Sequence, residues 1–394
     1  MNTFVQAIIL LFKNHTSLIP VDVTTPPKAA LAAEFNSIYL VALPEIPDGF
    51  TTTEFVLRLS KPLHPRVKTQ NEVGWLNFIA TQKNSSKIRV PKLLFWSDST
   101  EEIGFEYTVL EKLPGVTLCD IWETVDPQLL VSQVVDVILE LRQLTSKLGD
   151  KKWFGGITGD GKNPGPFVEV TGYTSEHIRQ FWPSSSYPSE SYETLNLTTA
   201  FNSWKEYLSA RLQRDIHVIE MHDSCTTLRG SFLTRLRENI IPRSNSSFDV
   251  EGVIAHRDLH FGNLLWSTET NSISGVLDWE LAGIYPLSDW NPGNTLWTIT
   301  TPTKSTSTTQ ERFFEMLDEE LAKRDTGIIE TTMEENSEEY HYQRIVSLTY
   351  WIVRRYVEGR GDEERVKGWM KEWQEHATEL DGCDNVKTKQ KEIS

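Results

Sequence analysis

The sequence predicts an α+β chain of two lobes, a small one rich in strands at 1–110 and a larger, mainly helical one at 111–394. Three observations predict it. A length of 394 residues is more than one small core organises. Strand-like stretches crowd between residues 34 and 113, and long helical periodicities take over from 126 onward.

The chain opens with "FVQAIILLF", too short to span a bilayer and preceded by no basic stretch, so it reads as an amphipathic helix rather than a membrane span or signal peptide. "EFNSIYLVAL" and "TTTEFVLRLS" carry β-branched and aromatic residues on either side of the turn-rich "PEIPDGF", and "FEYTVLEKL" supplies a further strand. Between them "KTQNEVGWLNFIATQ" spaces Val73, Leu76, Phe78, Ile79 and Ala80 as a helix does, with Glu72 early in it. In "DPQLLVSQVVDVILELRQLTSKLG", Asp126 is an N-cap candidate, Pro127 suits the first helical position, and Gly149 is a stop. Further helices are expected over 199–222, on the stripe Phe201, Trp204, Leu208, Leu212, Ile216 and Ile219, and at "YHYQRIVSLTYWIVRRYVEG". Segment 155–198, rich in Gly, Pro, Ser and Tyr without periodicity, predicts a long irregular excursion over the surface, and 243–248 and 299–310 read as polar loops.

The charge balance, 39 basic against 55 acidic side chains for a net −16, repels nucleic acid and anionic membranes and would draw in a cationic small molecule. It serves solubility equally well. Three cysteines, Cys119, Cys225 and Cys383, form no C-x-x-C pair, so neither a disulfide framework nor a structural zinc site is expected, and a reducing, cytoplasmic setting fits.

The chemistry concentrates in "HRDLHFGNLLWSTETNSISGVLDWE", residues 256–280. Phosphoryl transfer from a nucleotide needs a carboxylate near the incoming hydroxyl and oxygen ligands that hold magnesium against the phosphates. Asp258 can supply the first, while Asn263 and Asp278 offer the hard oxygens magnesium prefers. "NLLW" and "ISGVLDW" around "TETNS" read as a hairpin that returns Asp278 to the loop bearing Asp258 and Asn263.

On these residues a resemblance becomes plain. "HRDLHFGN" matches the kinase catalytic loop and "LDWE" stands where protein kinases carry D-F-G. The variant H-x-D-x-H-x-G-N with L-D-W-E resembles the aminoglycoside phosphotransferase family, whose relatives include choline kinases, within the protein-kinase-like superfamily. The resemblance covers about residues 30 to 300. It implies a protein-kinase-like fold, ATP and Mg2+ as cofactors, and a hydroxyl-bearing small molecule as substrate. It further implies that Arg58 and Glu72 pair to orient the phosphates and that main chain from Glu111 to Leu113, in "VLEKLPGVTL", binds adenine. Asp289 in "YPLSDW" would brace the catalytic loop. Two departures bear on nucleotide binding: "LAAEFNSIY" lacks the family's glycine, and Arg58 replaces the usual Lys.

Rival readings are a metallohydrolase built on His256, Asp258 and His260, and a kinase-like binding protein that has lost activity. A buried, backbone-satisfied His256 with a structural role is the simpler reading of that residue. Trp279, Trp290 and Trp297 could form a cation-binding cage or simply be core. The acidic runs at 318–320 and 334–339 read as solvated helix faces.

Overall fold

The computed structural model describes residues 3–26, 36–82, 87–149, 153–170, 172–245, 250–289, 307–324 and 337–393. Five strands, β1 (Asp22–Thr24), β2 (Asn36–Ala42), β3 (Glu54–Ser60), β4 (Leu93–Ser97) and β5 (Glu106–Glu111), form one antiparallel sheet in the order β1-β2-β3-β5-β4. Alternation along β3 sends Phe55, Leu57 and Leu59 to one face, where they are buried with Ile8, Leu11 and Phe12 of the first helix, α1 (Thr3–Thr16). The same alternation turns Arg58 to the other face, beside Thr108 across the β3–β5 ladder.

On that other face lies α2 (Val67–Thr81), buried on nearly every side. Its Trp75, Leu76, Phe78 and Ile79 join the core of the larger lobe rather than the core under the sheet. A close backbone approach fixes the docking. A Cβ on Gly74 would lie 2.3 Å from the Thr158 carbonyl oxygen, so only glycine fits there.

The chain leaves the sheet through β6 (Val116–Thr117), a short α3 (Leu118–Ile121) and the long α4 (Pro127–Thr145). Asp126 caps α4 by accepting the Leu129 amide at 2.8 Å, and a further turn ends at Gly149, whose φ of 71° is left-handed. Next come β7 (Gly156–Ile157), β8 (Pro164–Gly165), α5 (Ser175–Phe181), α6 (Tyr192–Leu195), α7 (Trp204–Met221) and α8 (Ser231–Arg235). Segment 155–198 is therefore not the surface excursion its composition suggests. Ile157, Phe167, Tyr173, Trp182 and Leu195 are buried, anchors in irregular stretches and very short elements that no periodicity could announce.

Strand β9 (Gly252–Ala255) pairs with β12 (Gly283–Pro286), and between them the hairpin β10 (Leu264–Ser267) and β11 (Ser272–Val276) forms, extended by β6. Helix Ser307–Arg324 contacts α4, with Asp318 and Glu319 exposed as a solvated face. Helix Glu338–Val357 packs on α7 and on helix Glu364–Ile393. The expected loop at 299–310 and the acidic run 334–339 lie partly outside the described residues, as do Trp290 and Trp297 entirely. Trp279 is core, its indole N–H donated to Val276 O at 3.1 Å. Among the described residues no helix is long and apolar enough to cross a membrane.

Candidate active site

Two antiparallel pairs nested along the chain bring the motif residues to one place. Ala255 ends β9 opposite Gly283, and Leu264 begins β10 opposite Val276, so residues 256–263 and 277–282 are two loops at the same end of both pairs. Leu277 N–H donates to Asn263 O at 2.8 Å and joins them.

In the first loop Asn263 donates its amide N–H groups to Asp258 O at 2.9 Å and to Asp258 Oδ2 at 3.0 Å. With its nitrogen so engaged, the oxygen end of the amide faces away from Asp258. Burial disfavours the Asp258 carboxylate, but His260, whose Nε2 is 3.6 Å away, and the Asn263 amide hold its pKa below the ordinary range. His256 is wholly buried; its Nε2–H donates to Leu277 O at 2.8 Å and its Nδ1 accepts the Asp258 N–H at 3.3 Å. Burial depresses its pKa, so the ring is neutral, as one donating and one accepting nitrogen require. Because His256 and His260 use ring nitrogens on loop backbone, the latter accepting Gly262 N–H at 2.9 Å, they are poorly placed as ligands for the metallohydrolase alternative.

Arg257, between His256 and Asp258, takes a left-handed φ of 65° and turns its guanidinium away over the Tyr285 ring, 4.4 Å from the centroid. Its Nη1 donates to Asp289 Oδ2 at 3.0 Å and Asp289 O at 3.2 Å, while Asp289 Oδ1 accepts Gln343 Nε2 at 2.8 Å from helix Glu338–Val357. Asp289 thus reaches the loop through Arg257 and ties it to a C-terminal helix.

In the second loop Asp278 is also left-handed, φ 65° and ψ 63°, a conformation that costs a non-glycine residue on the order of 1 kcal/mol. It aims the carboxylate at β3. Arg58 donates Nη2 to Asp278 Oδ1 at 2.7 Å and to Glu280 Oε2 at 3.1 Å, and Nη1 to Glu72 Oε1. Burial alone would lower the Arg58 pKa, but Asp278, Glu72 and Glu280 together hold it well above its usual value. Its Nε–H is buried without a partner among the described residues. Burial pushes the Glu72 and Glu280 carboxyls up, Glu280 to about 7, with Asp278 adding to the push on Glu280 against the pull of Lys68 and Arg58.

Glu111 and Leu113 lie further along the sheet. Glu111 pairs with Phe55 while Thr108 pairs with Arg58, a separation of three residues or about 10 Å. Glu111 N–H donates to Lys92 O at 2.8 Å, its Oε1 accepts Lys92 N–H at 3.0 Å, and the Leu113 amide has no partner among the described residues. The side chain of Leu113 packs against Gly275 of the hairpin. The glycine-free loop lies largely outside the described residues.

Sequence reasoning did not single out Asn36, Lys68, Asn71 or Glu280 as working residues. Asn71, buried in α2, donates to Glu280 O at 2.9 Å and Ala282 O at 2.8 Å and accepts Ile157 N–H at 2.9 Å, so it pins the motif loop to the helix bearing Glu72. Glu280 stood in the quoted "LDWE", and Lys68 precedes Glu72 by one helical turn, so i, i+4 spacing was a usable signal for it. Nothing local marked Asn36 or Asn71.

Asn263 and Asp278 together present two hard oxygen donors, and among the described residues no cluster of three His, Cys, Asp or Glu could hold a metal ion. That donor set fits magnesium, which keeps waters and takes phosphate oxygens to complete its octahedron, and fits zinc poorly.

A strand-borne cation paired with a helical carboxylate, facing a loop carboxylate and an Asn–Asp pair beneath a small antiparallel sheet, defines a phosphotransferase of protein-kinase-like fold. The comparison with protein families agrees. The sequence model of the phosphotransferase enzyme family, APH, matches residues 46–289, and the chain belongs to that family. Among solved structures, a thermostable mutant of aminoglycoside phosphotransferase APH(4)-Ia with AMP-PNP and hygromycin B is similar at 14% identity and a TM-score of 0.48, covering 95% of this chain and 98% of that one. The GDP complex of wild-type aminoglycoside 2'-phosphotransferase-IIIa is similar at 12% identity and a TM-score of 0.45, covering 96% and 99%. Choline kinase LicA from Streptococcus pneumoniae is similar at 12% identity and a TM-score of 0.40, covering 96% and 98%. No curated protein sequence matches.

Proposed function

We propose that this phosphotransferase is ATP- and magnesium-dependent and moves the γ-phosphoryl group onto a hydroxyl of a small molecule, in a cleft between lobes divided near residue 110. The observation that carries the reading is the meeting of Asp258, Asn263, Asp278 and Arg58 through direct hydrogen bonds and one shared backbone contact.

Asp258, kept ionised at neutral pH, accepts a hydrogen bond from the substrate hydroxyl and orients its oxygen toward the γ-phosphorus. As the new O–P bond forms and the bond to the ADP oxygen breaks, the hydroxyl proton passes to Asp258. Magnesium held by Asn263 and Asp278 would supply positive charge to the phosphates. Arg58, fixed by Glu72, meets phosphate oxygens from the sheet side, and its unpartnered Nε–H is a donor such an oxygen would satisfy. Adenine lies against the main chain of Glu111 to Leu113, where a free amide supports the assignment. An acceptor carrying positive charge suits the net −16 of the chain. The free thiols of Cys119 and Cys225 suit the cytoplasm.

The test is a screen of hydroxyl-bearing metabolites for ATP-dependent gain of one phosphate. Asp258→Ala should lower kcat by about a thousandfold or more while nucleotide affinity stays within about threefold, and Asp278→Ala should weaken magnesium–nucleotide binding itself. Wild-type turnover in both variants overturns these roles. One observation favours the second reading, an inactive binding protein: Arg58 occupies Asp278 Oδ1, which leaves one of the two carboxylate oxygens for a metal. Nucleotide-dependent thermal stabilisation without turnover on any acceptor is its signature.

A further inference from the structure

Behind Arg58 lies a second polar layer that the phosphotransfer roles do not use. Glu280 Oε2 accepts hydrogen bonds from Asn36 Nδ2 at 2.8 Å and Arg58 Nη2 at 3.1 Å, and the Lys68 ammonium forms an ion pair with it at 3.7 Å. Asn36 faces both neighbours, since its Oδ1 accepts Lys68 Nζ at 3.1 Å while its nitrogen serves Glu280, and this pairing fixes which way its amide points. Lys68 is 1% exposed, Glu280 3% and Asn36 6%, so no solvent screens the group. A lysine is rarely buried so completely unless it is paired.

The charge balance shows what the layer does. Three carboxyl groups, Glu72, Asp278 and Glu280, face two basic side chains, Arg58 and Lys68. Arg58 Nη2 is shared between Asp278 and Glu280. If Asp278 turns to a cation, that nitrogen keeps a partner only if Glu280 stays in place. Its own backbone holds Glu280 through Asn71, but its carboxylate is held by Lys68 and Asn36.

We infer that Lys68 and Asn36 are positioning residues for Arg58, acting through Glu280: they hold that carboxylate as a second anchor, so the guanidinium keeps its orientation toward the phosphates when Asp278 lets go. The inference rests on the phosphate-binding role of Arg58 given above. It also accounts for arginine at this position, because only a planar fork with two terminal nitrogens engages Glu72 and Glu280 at once, one on each. Asn36 opens β2, so the same bond ties the start of that strand to the motif loop.

The experiment is a binding titration of a non-hydrolysable ATP analogue with magnesium, run beside thermal unfolding of the unliganded protein. Lys68→Met should raise Kd about tenfold, and Lys68→Arg should recover most of that loss because the charge returns. Asn36→Ala, which leaves all five titratable side chains in place, should raise Kd about threefold. A folded Lys68→Met protein with wild-type Kd overturns the inference even if its melting temperature falls, since a merely structural lysine would alter only the latter. A Lys68→Arg protein that binds no better than Lys68→Met overturns it as well. Should Lys68→Met not fold, Asn36→Ala decides, and an unchanged Kd there sinks the idea. Arg58→Ala separates this inference from the reading beneath it. If Arg58→Ala weakens binding and Lys68→Met does not, only the positioning role fails; if Arg58→Ala binds normally, the phosphate role of Arg58 fails first.

Discussion

Helices α1 and α2 lie against opposite faces of the same five-stranded sheet and are held by opposite means. α1 sinks one apolar stripe, Ile8, Leu11 and Phe12, against Phe55, Leu57 and Leu59, and leaves Leu10 in water. α2 has no exposed face of comparable size. It buries Trp75, Leu76, Phe78 and Ile79 in the larger core and Lys68, Thr69, Asn71 and Glu72 on its polar side, each with a hydrogen-bond or charge partner. The first helix is held mainly by hydrophobic burial, with one polar contact at its end, His15 to Glu102 and Tyr107. The second is a structural bridge, because its polar side is satisfied by the sheet at Thr69 and Glu72 and by the motif loop at Asn71 and Lys68. Asn71 and the Trp75 indole, which donates to Ala282 O at 3.0 Å, lock it to the motif loop, so Glu72 is presented to Arg58 by a rigid support.

Substitutions in the two helices should separate these functions. Phe12→Ala should cost about 4 kcal/mol in urea unfolding through the cavity it leaves, while kcat and KM of the folded fraction stay as in wild type. A shift in nucleotide affinity there would break the comparison. Gly74→Ala should cost about 3 kcal/mol, because the new Cβ meets the Thr158 carbonyl and Ile157 Cγ2 within 2.6 Å, and unlike Phe12→Ala it should also raise KM for nucleotide by tilting Glu72.

The loop entering α2 offers a pH handle. Burial depresses the His64 pKa to about 4, with Lys68 lowering it further against the pull of Glu169, from an ordinary 6.5. A depressed pKa means the stability His64 contributes is complete above pH 6.5 and is lost as pH falls toward 4, on the order of 3 kcal/mol in all. His64→Gln should flatten that part of the stability profile, leaving what His177, also depressed to about 4, contributes. An unchanged slope would show that the ring is already charged in the folded protein. At the small end, Leu10→Ala on the exposed side of α1 should change stability by less than about 0.5 kcal/mol. A larger loss would mean that this face is covered.

The fold class was legible because its signals are local. The alternation in "TTTEFVLRLS", the capped periodicity of α4 and the stripe on α7 each state their element within a dozen or so residues, and the structure contains all three. The hairpin around "TETNS" was legible for the same reason. Segment 155–198 was misread as surface because its aromatic anchors follow no period, and burial without periodicity leaves no mark in composition. In the site, the motif named Asp258, Asn263 and Asp278, and resemblance supplied Arg58 and Glu72. Lys68 and Asn36 escaped because a lysine on a helix and an asparagine at a strand end ordinarily face water.

By itself, the sequence determined the order of strands and helices and the spacing that returns Asp278 to the loop of Asp258 and Asn263, because periodicity and hairpin closure depend on neighbours along the chain. Only the tertiary structure decided which polar groups leave water together. Asn36 and Glu280, 244 residues apart, share a hydrogen bond only because the sheet, α2 and the hairpin close on one another. Desolvation is a property of that closure, and it is desolvation that turns Lys68 and Glu280 from ordinary charges into a support for Arg58.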